Sequence, residues 1–172
     1  DEVSTAGRTA ALRCTRVCRT LEAMDSTWFP SLLVVVVTAL TVAVVVLIHY
    51  EGLVWLSGRL ARRTGTTGRR KVLYGVYMVL CLHVVEIWVF GFAIWALLLV
   101  SGTGHVLGLE QAGFLDAVYL SAATFTTVGF GDISPGGAIR FLAGTEALTG
   151  FGLITWSASF TYIEMEQYWR RR

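Results

Sequence analysis

Charge is scarce in this chain, and so are the residues that build side-chain chemistry. Asp, Glu, Lys and Arg make up 15% of its 172 residues, against about a quarter in soluble domains. There are only two prolines, three cysteines and three histidines. Cys14 and Cys18 stand four apart with no histidine nearby, which supplies two of the usual four zinc ligands and reads more plainly as chance or a surface helix. No nucleophile with a base, no complete metal set and no phosphate-binding loop is present, which argues against an enzyme. What remains is apolar: 55% of the residues are hydrophobic, the composition of a membrane protein.

Three stretches, 29–48, 72–100 and 139–162, are long and apolar enough to cross a hydrocarbon core, which takes about 20 helical residues. The first, FPSLLVVVVTALTVAVVVLI, has no charge and is followed by HYEG rather than a small-residue cleavage pattern. It reads as a transmembrane anchor, cleaved signal peptides having a shorter apolar region. The second would measure about 43 Å at 1.5 Å per residue and is expected to tilt or protrude. The third carries Gly144, Gly150 and Gly152. Glycines there serve helix packing, or a bend with Gly150 and Gly152 as hinge candidates.

Basic residues set the orientation. Arg59, Arg62, Arg63, Arg69, Arg70 and Lys71 fall in the connection 49–71, and Arg170, Arg171 and Arg172 in the tail 163–172. Three crossings put both on one side, expected to be cytoplasmic. The N-terminal segment 1–28 then lies outside, against which Arg8, Arg13, Arg16 and Arg19 count. Beside a membrane, RRTGTTGRRK suits anionic lipid rather than nucleic acid. Trp28, Trp55, Tyr162, Tyr168 and Trp169 lie at span ends, as an interfacial aromatic belt would place them.

Between the second and third spans, 101–113 is a glycine-rich outer turn. Residues 114–125, FLDAVYLSAATF, are apolar but too short to span, which predicts a re-entrant helix. TTVGFGD follows at 126–132, and 133–137 should break any regular element. Irregular backbone at membrane depth is tolerated only where protein buries it or it lines a watery path. Successive carbonyls that face one axis can replace a cation's hydration shell, which requires alternating right- and left-handed backbone. Gly129 and Gly131 supply left-handed positions. Val128 and Phe130 are expected to pack behind the loop, and the Thr127 hydroxyl adds an oxygen below the carbonyls. The preceding helix aims its negative C-terminal end at the loop, favouring a cation, while Asp132 puts a carboxylate at the outer mouth.

The string Thr124-x-x-Thr127-Val128-Gly129-Phe130-Gly131-Asp132 resembles the potassium-channel signature in its GFG variant, and the resemblance runs from about Phe90 to Tyr162. It implies an all-α membrane protein: three transmembrane helices, a re-entrant pore helix and a selectivity-filter loop, assembled as a tetrameric pore. It also implies K+ sites on the carbonyls of Thr127, Val128, Gly129 and Phe130, no other cofactor, and further copies of the chain and lipid as partners. Tyr119 would clamp the filter through Asp132 or nearby backbone, with Thr124 and Glu146 as further supports. The plan is similar to bacterial single-pore channels of the cell membrane. With no repeated arginines in 29–48, no steep voltage dependence is expected, nor is a nucleotide- or calcium-sensing domain after the third span. A weakly selective cation pore and a pore-loop subunit of a transport system are the alternatives.

Two acids inside spans complete the picture. Glu86 follows His83 by three positions on one helical face, which suggests a structural contact. Glu146 falls at about filter depth, where support of the filter is expected over direct ion contact. Cys81 is expected in packing, and His105, in the outer turn, is an ordinary exposed histidine or a sensor of external protons.

Overall fold

The computed structural model describes the backbone of residues 2–62 and 68–169, with side chains for 28–62 and 69–166. Among the described residues there are four helices and one small strand pair: α1 (Glu2–Arg62), α2 (Gly68–Leu98), β1 (His105–Leu107), α3 (Phe114–Phe125), β2 (Ser134–Gly136) and α4 (Ile139–Trp169). Trp28–Arg62 of α1 and Arg69–Leu98 of α2 are long and apolar enough to cross a membrane.

Helix α1 does not stop at residue 48 as the sequence suggested. His49, Tyr50 and Glu51 are polar but not helix breakers, and beyond them Leu53, Leu56 and Leu60 recur on one face. That stripe is buried with Val79 of α2, and Phe160 of α4 packs against the same cluster. The link between α1 and α2 shrinks accordingly to residues 63–67. Cys14, Cys18, Tyr168, Trp169 and the basic tail Arg170, Arg171 and Arg172 lie outside the described side chains.

The short helix α3 sits between α2 and α4 because two glycines admit it. A Cβ on Gly91 of α2 would come within 2.8 Å of Val118 Cα, and one on Gly150 of α4 would overlap the Phe125 carbonyl. Gly150 is thus a contact point in a continuous helix, whereas the space beside Gly152 is open. Around this seat Phe90, Ile94 and Leu97 of α2, Leu120 and Phe125 of α3, Leu142 and Leu153 of α4, and Val34 and Val45 of α1 form one buried core. At about 25 cal/mol per Å2 of buried apolar area, this packing holds a helix too short to be stable alone.

Thr103 splices α2 to α4. Its hydroxyl lies 2.5 Å from Leu97 O and 2.8 Å from Val100 O, so its one proton adds a bond to a carbonyl where α2 ends. Its own carbonyl accepts from Ile139 N, the first residue of α4, at 3.0 Å. The two segments read as turn and breaker, 101–113 and 133–137, contain a ladder: β1 and β2 pair antiparallel, with His105 opposite Gly136 and Leu107 opposite Ser134. Alternating burial of Val106 between exposed His105 and Leu107 is the strand pattern, too short to register in the sequence.

Candidate functional site

The 126–132 loop is tied directly to the end of α3. Thr126 N and Oγ1 both donate to Ala122 O, Thr127 N donates to Thr124 O at 2.9 Å, and Gly129 N donates to Ala123 O at 3.1 Å. At the other end of the helix Gly113 N donates to Asp116 Oδ2 at 2.8 Å, closing the first turn. Thr124, half-buried, thus contributes its carbonyl to the loop.

Three alternate residues of the loop are left-handed: Thr127 at φ 59°, Gly129 at 51° and Gly131 at 84°. The glycines are where the sequence put them. Thr127 was missed, because a β-branched residue at positive φ is an outlier with no signal in its own identity. Its amide bond to Thr124 O and the Gly129 bond to Ala123 O hold the chain on either side of it.

Val128 and Phe130 do not pack behind the loop. Within one chain they are 56% and 70% exposed, since the loop is joined to α3 through the backbone at Thr127 N and Gly129 N rather than through these side chains. Phe130 instead lies parallel to Tyr119, with ring centroids 6.4 Å apart and planes 5° apart. Tyr119 Oη donates to Asp132 Oδ2 at 2.8 Å, linking α3 to the far end of the loop. The bond to Asp132 pushes the Tyr119 phenol above its ordinary pKa.

Behind α3, Glu146 is fully buried. Its Oε1 meets Ser121 Oγ, which is also 2.8 Å from Ile87 O of α2, so one polar contact touches α2, α3 and α4. Among the described residues Glu146 Oε2, which is buried, has no hydrogen-bond partner. One turn on, Gly150 meets Phe125, one turn beyond Ser121, so the two helices are matched at successive turns.

A second polar group joins α1, α2 and α4. Glu86, fully buried, bonds His83 Nδ1 at 2.8 Å as its spacing predicts, and also His49 Nδ1 of α1 at 2.7 Å. Ser157 Oγ of α4 lies 3.4 Å from His49 Nε2. His49 went unread because it lies 37 positions away; its one signal was a histidine just past an uncharged apolar run. The His83 ring sits 5.9 Å from that of Phe125, the last residue of α3. Of the remaining sequence candidates, His105 is exposed on β1 opposite Gly136. Cys81 is exposed, not packed, because it lies on the face of α2 turned away from the other helices.

The family model described as Ion channel matches residues 78–167, just over half of the chain. The chain belongs to this ion channel family. The matched region of the channel starts within α2, contains all of β1, α3, the loop and β2, and ends near the close of α4. It is a family of ion channels and not of enzymes. Searches of curated proteins and of solved structures give no match.

Proposed function

We propose that this ion channel is potassium-selective and that four copies surround one pore. The observation that carries the reading is the alternation of left-handed backbone at Thr127, Gly129 and Gly131. Alternating handedness turns successive carbonyls toward one side, so those of Thr127, Val128, Gly129 and Phe130, with the Thr127 hydroxyl, can take the place of water around K+. One loop supplies a quarter of such a ring, hence the tetramer. Gly131 lets the loop turn outward, and Asp132 stands at the mouth.

Supporting parts follow from the same geometry. Helix α3 points its C-terminal end at the loop, which favours a cation. Tyr119, through Asp132, and Thr124, through its carbonyl, brace the loop, and Glu146 braces α3 from behind. α4 is the third crossing and lines the inner pore. The basic residues Arg59, Arg62, Arg69, Arg70 and Lys71, at the facing ends of α1 and α2, face the cytoplasm of a cell membrane and touch anionic lipid; the Arg59 guanidinium lies 4.5 Å over the Trp55 ring, a pairing at home in the interfacial zone. The 29–48 span holds no lysine or arginine, so gating has no steep voltage dependence.

Potassium flux into liposomes containing only this protein tests the reading. Flux with a reversal potential that follows the K+ gradient supports it. Equal sodium and potassium permeability points to a weakly selective cation pore, and absence of flux from a folded oligomer to a pore-loop subunit of another system.

A further inference from the structure

The polar group that joins α1 to α2 has no part in the conduction reading. We infer that His49, His83 and Glu86 form a binding site for a divalent transition-metal ion, with zinc as its probe. Each carboxylate oxygen of Glu86 faces one imidazole nitrogen, His49 Nδ1 at 2.7 Å and His83 Nδ1 at 2.8 Å. Ligand atoms of all three residues lie within 4.8 Å of one another. Two imidazoles and a carboxylate suit zinc, which accepts three protein ligands with a fourth position left to water.

The surroundings favour a cation there. Glu86 and His49 have no exposed surface, and among the described residues the ionic partners of Glu86 are the two histidines alone. A carboxylate so placed carries a heavy desolvation cost unless positive charge accompanies it. The second nitrogen of His49 faces Ser157 Oγ at 3.4 Å, and the imidazoles stack with centroids 5.6 Å apart. A hydroxyl on the far nitrogen fixes the near one toward the carboxylate, as outer partners orient metal-bound histidines. Zinc at about 2.0–2.2 Å from each ligand sets neighbouring donors about 3.4 Å apart. The rings therefore withdraw by roughly 0.6 Å and surrender the protons now shared with the carboxylate. The His83 side chain is 13% exposed and forms the entry side. A bound ion pins α1 to α2 beside Phe125, at the base of α3.

The test uses the full chain, purified in detergent, with Cys14→Ala, Cys18→Ala and Cys81→Ala to remove the competing thiols. After equilibration with zinc and desalting, about one zinc per chain is expected, and cobalt in its place should give the visible absorption of a four-coordinate nitrogen and oxygen site. His83→Ala, at the rim, keeps the fold and lowers zinc affinity at least about tenfold; His49→Ala does the same if it folds. His105→Ala, the third histidine, leaves binding unchanged. Background zinc in the parent, or full binding by His83→Ala, overturns the site and leaves only a hydrogen-bonded triad.

Discussion

Ser121 and Glu146 meet across the interface of α3 and α4, while the same serine hydroxyl stands 2.8 Å from the Ile87 carbonyl. A hydroxyl has one proton and a carbonyl can only accept. If the serine proton serves Ile87 O, the contact with Glu146 needs a proton from the acid. A neutral carboxyl also suits Oε2, which is buried without a partner among the described residues. Glu146→Gln, which can donate to Ser121, should therefore keep potassium flux and its pH profile, whereas Glu146→Ala should cost about 1–3 kcal/mol of stability. Thermal unfolding and liposome flux of both variants check this; loss of flux in Glu146→Gln with an intact fold would show that the channel needs the charge.

The close approach at Gly150 gives a sharp contrast with its neighbour. Gly150→Ala forces a methyl into the Phe125 carbonyl and should destabilise by about 1–3 kcal/mol or more, as overpacking does. Gly152→Ala meets open space and should be neutral or gain up to about 1 kcal/mol from helix propensity. Melting temperatures of the two variants decide it.

At Gly129 and Gly131 the demand is on backbone angle rather than space. Each has room for a methyl but sits at positive φ, where an L-residue costs roughly 1–2 kcal/mol. Gly129→Ala and Gly131→Ala should leave the size-exclusion profile unchanged while abolishing potassium flux. Wild-type flux in either variant would remove the argument that these carbonyls need left-handed backbone.

The bond from Tyr119 to Asp132 carries a pH signature. A phenol whose pKa is raised in the folded protein lends its stabilisation below the ordinary tyrosine value of about 10 and loses it as pH rises through the folded value. Potassium selectivity should hold through neutral pH and fall on the alkaline side of that ordinary value. Tyr119→Phe should show the alkaline behaviour at every pH, as reversal potentials measured from pH 7 upward would reveal.

The short helix at 114–125 was legible to the residue, since a bounded apolar run between a glycine turn and a glycine loop leaves little freedom in register. The left-handed glycines were legible for the same reason, because only glycine adopts those angles cheaply. Thr127 was not, as its angle is imposed by hydrogen bonds to α3. The continuation of α1 was hidden by His49, Tyr50 and Glu51, whose polarity suggests an end although none of them stops a helix. The exposure of Val128 and Phe130 depends on how the loop is joined to α3, and the partnership of His49 with Glu86 on how two helices align. Neither leaves a trace in local sequence.

Thr103 gives α4 a fixed end. Since one residue closes α2 with its hydroxyl and starts α4 with its carbonyl, α4 is hung from the end of α2 as a beam from a bracket. That joint sets where α4 begins, and the contacts of Glu146 with Ser121 and of Gly150 with Phe125 set its course past α3, so the loop and α4 share one frame.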